Sequence, residues 1–154
     1  MIGKYISLAQ ATKSDTAKRL GLSNEPTPQH LLAMQSVGEH IFDKVKEHEA
    51  SAYVSSMYRS KEVNSHVPGA STTSQHLLGE AVDIDSPEAN LQIFNFVKDY
   101  LVFDQLILEW PDKNGFPSWV HVSYVDHPKK NRGQILVKLK AKYIPFGEYR
   151  VGME

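Results

Sequence analysis

Cysteine is absent from this chain of 154 residues. Its absence removes disulfides, thiolate nucleophiles and cysteine-based zinc sites together, so any metal must be held by His, Asp or Glu. It selects no redox compartment. Long apolar runs are missing too. No stretch approaches the roughly 20 residues that cross a bilayer, so membrane insertion is not expected. Charge of one sign is also lacking: 17 Lys and Arg balance 18 Asp and Glu, for a net charge of -1. No global field therefore draws the chain to nucleic acid or to an anionic membrane. The opening residues MIGKYISLAQATKSD have neither an apolar core nor a small-residue cleavage site, and synthesis in the cytoplasm without a signal peptide is expected.

What is present is the composition of a globular protein, with 41% hydrophobic and 23% charged residues. No repeat, low-complexity tract or linker divides it, and one domain over residues 1–154 is expected. Ser14 is placed to cap a short helix through Leu20, ended by Gly21. Thr27 and Pro28 open the clearest helix, whose stripe Leu31, Met34, Val37, Ile41 and Val45 runs to about Glu49. A strand at Ala52–Tyr58 and a polar loop from Arg59 to Gln75, with at most one helical turn, come next. Ala81–Asp85 reads as a strand. Ser86-Pro87 then caps a helix with Ala89, Ile93, Phe96, Val97 and Tyr100 inward. Strands at Asp104–Glu109, Trp119–Tyr124 and Gln134–Leu139 precede a weakly patterned tail. The order implies an α+β domain, its mainly antiparallel sheet covered by helices on one side.

Seven histidines are present. His30, His40 and His48 lie on or beside the long helix, and His66 and His127 lie in polar loops; all five read as solvated or lightly packed. His76 and His121 differ in context. In SQHLLGEAVDID, His76 precedes a strand on which Asp83 and Asp85 share the face opposite Val82 and Ile84. In WVHVSY, His121 shares a face with Trp119 and Ser123. On the preceding strand Gln105, Ile107 and Glu109 share a face. If the two strands form a hairpin with Glu109 opposite His121, their Cβ atoms stand roughly 5 Å apart. Two imidazoles and a carboxylate would leave zinc a fourth position for water, whose pKa falls toward neutrality, with a nearby Glu to take its proton. Spacing alone equally allows a buried polar cluster or a metal that only braces the fold.

The motif SQHLLGEAVDI resembles the Ser-x-His-x-x-Gly-x-Ala-x-Asp-[Ile/Leu] signature of the zinc D-alanyl-D-alanine carboxypeptidase family. That family includes L-alanyl-D-glutamate peptidases and shares its fold with hedgehog signalling domains. YRSKEVNSHVPGASTTSQH is similar to the family's Arg-containing substrate loop, and DQLILE and WVHVSY to its two closing strands. NRGQIL and the opening ISLAQATKSDTAKRLGLSNEPTP resemble phage-type members, so the likeness covers nearly the whole chain. It implies a hedgehog/DD-peptidase-like fold with zinc on the sheet, bound by His76, Asp83 and His121. Glu109 would be the general base. Arg59 would be a catalytic and substrate-binding clamp, with Ser74 and Gln75 lining the site and Gly79 keeping the backbone compact beside His76. Some branches carry the acid as Glu-x-x-His; here that position is Ser118, so the match is to the phage-type branch and points to Glu109.

The resemblance implies a zinc peptidase acting on peptidoglycan stem peptides, as a D,D-carboxypeptidase or an endopeptidase. The phage-type motifs imply a lysin, released through a holin or carried by a virion, as a monomer or part of a phage assembly. The competing reading is a non-catalytic zinc-containing virion or binding protein on the same fold. A third is a peptidase for free dipeptides. Zinc follows from ligand type, and manganese or cobalt suits the same donors.

Overall fold

A computed structural model describes all 154 residues. Its centre is a six-stranded sheet in the order β1-β2-β4-β3-β5-β6. The strands are β1 (Tyr53–Ser56), β2 (Ala81–Asp85), β3 (Gln105–Glu109), β4 (Trp119–Ser123), β5 (Gln134–Lys138) and β6 (Tyr143–Pro145). Strand alternation decides its two faces. Val82, Ile84, Leu106, Leu108, Val120, Val122 and Val137 are buried together in the core. Each such side chain contributes about 1.5–3 kcal/mol on burial. Asp83, Glu109 and His121, at the alternate positions, take the opposite face.

Helices cover the apolar face. Short helices α1 (Leu8–Ala11) and α2 (Asp15–Leu20) come first, the second capped by Ser14 and ended by Gly21, as expected. The long helix is α3 (Pro28–Val37), a π-turn over Gly38–Phe42, and α4 (Asp43–His48). The side chain of Thr27 caps it at Pro28. Met34, Val37, Ile41 and Val45 of the expected stripe are fully buried, and Leu31 packs at its edge. In the π-turn the Asp43 N–H donates to the Gly38 carbonyl. Gly38 is needed there because an added Cβ would stand 2.6 Å from the Ile2 carbonyl oxygen.

The loop after β1 holds helix α5 (Lys61–Ser65) and a 3-10 turn, Gln75–Leu78. The next helix, α6, spans Asn90–Tyr100. Ser86-Pro87 does not cap it. Instead Asn90 Oδ1 accepts from the Ser86 N–H at 2.7 Å, and Asn90 Nδ2 donates to Asp85 Oδ1 at 2.8 Å. Its inner face is Ile93, Phe94 and Val97, with Ala89 buried just before its first turn, whereas Tyr100 is 77% exposed in the last turn. Phe96 flanks the core and stacks on His48 with ring centroids 4.1 Å apart.

The sheet is mixed. Four pairings are antiparallel, but β5 runs parallel to β3. The chain leaves β4 by a loop that carries it back past the start of β3, a connection that strand patterns do not reveal. The tail adds β6. No helix is long and apolar enough to cross a membrane.

Candidate active site

The polar face of the sheet gathers the residues singled out by the sequence. Asp83 on β2 is the direct cross-strand partner of His121 on β4. A bulge in β1, where two residues oppose Asp83, bends the strand beside it, and Ser55 Oγ donates to the Asp83 carbonyl at 3.2 Å. Glu109 does not pair with His121. The register sets Glu109 opposite Trp119 and Ile107 opposite His121, which makes Glu109 a diagonal neighbour of His121 on the same face. The Trp110–Ser118 connection decides this offset: the Ser118 N–H donates to the Glu109 carbonyl at 2.8 Å, and Trp110 adopts φ 47°.

His76 enters from the 3-10 turn. Ser74 caps this turn, its Oγ accepting from the His76 N–H at 3.3 Å, and Gly79 ends it. Gly79 has φ +74°, and an added Cβ would stand 2.6 Å from the His30 carbonyl oxygen. Only glycine fits both the left-handed backbone and this close approach. The turn therefore packs against the long helix and holds His76 buried over the sheet.

One ligand atom from each of His76, Asp83 and His121 lies within 4.8 Å of the others. Asp83 Oδ2 is 3.3 Å from His76 Nε2, and Oδ1 is 2.9 Å from His121 Nδ1. His76 Nδ1 contacts the Met57 carbonyl, so it must carry the proton and donate. A neutral His76 then turns the Nε2 lone pair toward a carboxylate oxygen, acceptor against acceptor. Either the imidazole carries a second proton or a cation sits among the three. The donor set thus fits a divalent metal, and Met57 orients a ligand histidine as backbone carbonyls commonly do. Burial opposes ionisation of Asp83, but His76 and His121 outweigh it and hold the carboxyl well below its usual range.

Glu109 is different in kind. It is 7% exposed. Burial pushes its carboxyl up to about 7; Asp83 adds to the rise, while His121 and Lys138 oppose it. Such a group takes or gives a proton near neutrality.

Arg59 lies beside them, its backbone N–H donating to the His76 carbonyl at 3.2 Å. Its side chain meets only Ser74 Oγ, at 3.5 Å, and its buried Nε has no partner. Burial lowers its pKa and Asp83 opposes the shift. Gln75 donates through Nε2 to Asp104 Oδ2 at 3.0 Å, and its Oε1 is unpartnered. All of these line one open cleft of about 1110 Å³.

Sequence reading missed two parts of the site. Asp104, buried at the start of β3, accepts both Nε and Nη2 of Arg132 at 2.9 and 2.7 Å and so anchors Gln75. Trp110 and Tyr143 join the cleft wall, beside Trp119, which shares the face of His121 as expected. Tyr143 belongs to the weakly patterned tail, and Asp104 looked like an ordinary strand-end residue, so neither carried a local signal. Of the remaining histidines, His40 stacks on Tyr124 with centroids 4.3 Å apart, and His30 packs on Tyr58 at 5.0 Å.

Two imidazoles and a carboxylate beside a buried carboxyl, in an open cleft, are a donor set that could hold a metal ion. The family model for peptidase M15 matches residues 4–123. The chain belongs to the peptidase M15 family, whose peptidases are zinc-dependent. No curated protein matches the chain.

Proposed function

We propose that the chain is a zinc peptidase that cuts stem peptides of bacterial peptidoglycan, in the manner of a phage-type lysin. The observation that carries the chemistry is the convergence of the His76, Asp83 and His121 ligand atoms within 4.8 Å of one another. The wall substrate and the lysin role are supported by the likeness of SQHLLGEAVDI, the Arg59 loop and NRGQIL to phage-type members. In this reading His76 Nε2, the Asp83 carboxylate and His121 Nδ1 hold the metal. A zinc ion held there would supply Lewis-acid polarisation of a scissile carbonyl and would make a water molecule a stronger acid.

Glu109 is the general base: it takes a proton from the attacking water and returns it to the leaving amine. Arg59 clamps a substrate carboxylate or the carbonyl that becomes anionic, since its planar fork makes paired hydrogen bonds. The free Gln75 Oε1 accepts from a peptide N–H, and Ser74 lines the same wall. The protein reaches the wall after release through a holin or as part of a virion. The bond cut is D-alanyl-D-alanine or an internal stem-peptide bond.

Mass spectrometry of purified peptidoglycan incubated with the protein, with and without a zinc chelator, tests this reading. Chelator-sensitive release of defined peptides is the expected result, and the fragment masses identify the bond. An unchanged wall, from folded and zinc-loaded protein, refutes it in favour of a binding role.

A further inference from the structure

Between His127 and Gly147 the chain carries six Lys and Arg and no Asp or Glu, although its net charge is -1. This segment lies beyond the family match, which ends at residue 123. Five of the six line the cleft of the candidate active site, Lys129, Lys130 and Arg132 before β5 and Lys138 and Lys140 at its far end. Two of the five are already neutralised. Lys129 meets Glu80 at 3.1 Å and Arg132 meets Asp104 at 2.7 Å. Lys130, Lys138 and Lys140 have no carboxylate within 4.0 Å.

Position ties two of these lysines to the chemistry. Lys138 on β5 is the direct register partner of Glu109 on β3, and Lys140 follows two residues on. Lys138 also lies over the Tyr143 ring, 4.4 Å from its centroid, which fixes the stem of this lysine along the cleft wall. Like charges gathered in a cleft repel one another and focus a positive potential into it. A peptide that brings negative charge to this wall relieves that repulsion.

We propose that Lys138 and Lys140 form an anion subsite that selects acidic peptides, reading carboxylates on the substrate other than any held by Arg59. The inference rests on the peptidase reading above and adds a substrate preference to it. Stem peptides with a free glutamate α-carboxyl are favoured over their amidated forms.

The test uses two synthetic peptides on the zinc-loaded, full-length protein. One is L-alanyl-γ-D-glutamyl-L-lysyl-D-alanyl-D-alanine; the other is identical except that the glutamate α-carboxyl is an amide. Binding is read from tryptophan fluorescence, because both tryptophans, Trp110 and Trp119, line the cleft. Cleavage is read separately by mass spectrometry. The free acid is expected to bind about three- to tenfold tighter in low salt, with the difference shrinking as added salt screens the wall. K140Q, at an exposed and unpaired position, should bring the ratio toward one and K140E should invert it, whereas K130Q, at the other end of β5, should leave it unchanged.

A ratio near one in the unaltered protein, or a ratio that K140Q leaves unchanged, overturns the subsite. So does polyphosphate that binds more tightly than the acidic peptide, since the wall is then a general polyanion surface. Preferential binding of the acid without cleavage of either peptide supports the subsite and removes only the peptidase reading.

Discussion

Replacing Glu109 with Gln should make the metal-free protein more stable while abolishing turnover. The stability gain follows from burial. In the folded protein the Glu109 carboxyl sits at about 7, against 4.5 for an ordinary glutamate. Between these values the folded state holds a proton that the unfolded state has released, so stability falls as pH rises through this window. At about 1.4 kcal/mol per pH unit, the penalty reaches about 3 kcal/mol above pH 7 and vanishes below about 4.5. Gln is neutral at every pH and escapes it. Urea denaturation of both proteins in chelator, at pH 4.5 and pH 8, measures the difference. The expected result is near-equal stability at pH 4.5 and a more stable Glu109→Gln protein at pH 8. Zinc-loaded Glu109→Gln should still bind metal but lose about 10²–10⁴ in kcat. A stability difference that is flat with pH would refute the burial argument; near-normal turnover would move the base elsewhere.

Three further outcomes are expected. Asp83→Ala should weaken zinc binding, measured by competition with a metallochromic dye, by more than the roughly ten- to hundredfold typical of losing a group that only orients a ligand. Its circular dichroism should stay close to that of the parent, because Asp83 is on the face opposite the core. Arg59→Lys should lower kcat/KM for peptide about tenfold and Arg59→Ala further, since lysine keeps the charge but loses the paired geometry; equal activity of the lysine variant would argue against a bidentate contact. Gly79→Ala should cost about 1–3 kcal/mol and lower Tm, because the left-handed backbone and the His30 carbonyl at 2.6 Å both resist a Cβ. A Tm unchanged by that substitution would show that the turn carrying His76 relaxes freely.

Much of the scaffold was legible because local rules agreed with the final packing. The stripe from Met34 to Val45 and the alternation around Asp83 and His121 each describe a surface half in water and half in the core. Such patterns state which side chains share a face. They do not state which strands are neighbours, and the parallel β3–β5 pairing and the tail strand β6 were accordingly missed. The inner face of α6 was misread for a related reason: Phe96 and Phe94 are equally apolar, and only the docking of the helix on the sheet chose between them.

By itself, the sequence determined the types of chemistry available. Without cysteine, any metal has to rest on His, Asp and Glu, and the SQHLLGEAVDI motif with WVHVSY marks which of these residues to join. Tertiary structure alone decided their distances and their electrostatics. Asp83 meets His121 because β2 and β4 are neighbours, and Glu109 lies diagonal to His121 because the Trp110–Ser118 connection offsets the hairpin. The raised Glu109 carboxyl and the unpaired Lys138 opposite it depend on burial and on strand order. Those are properties of the folded chain, since a local pattern records neither how far a residue is from water nor which distant strand comes to rest beside it.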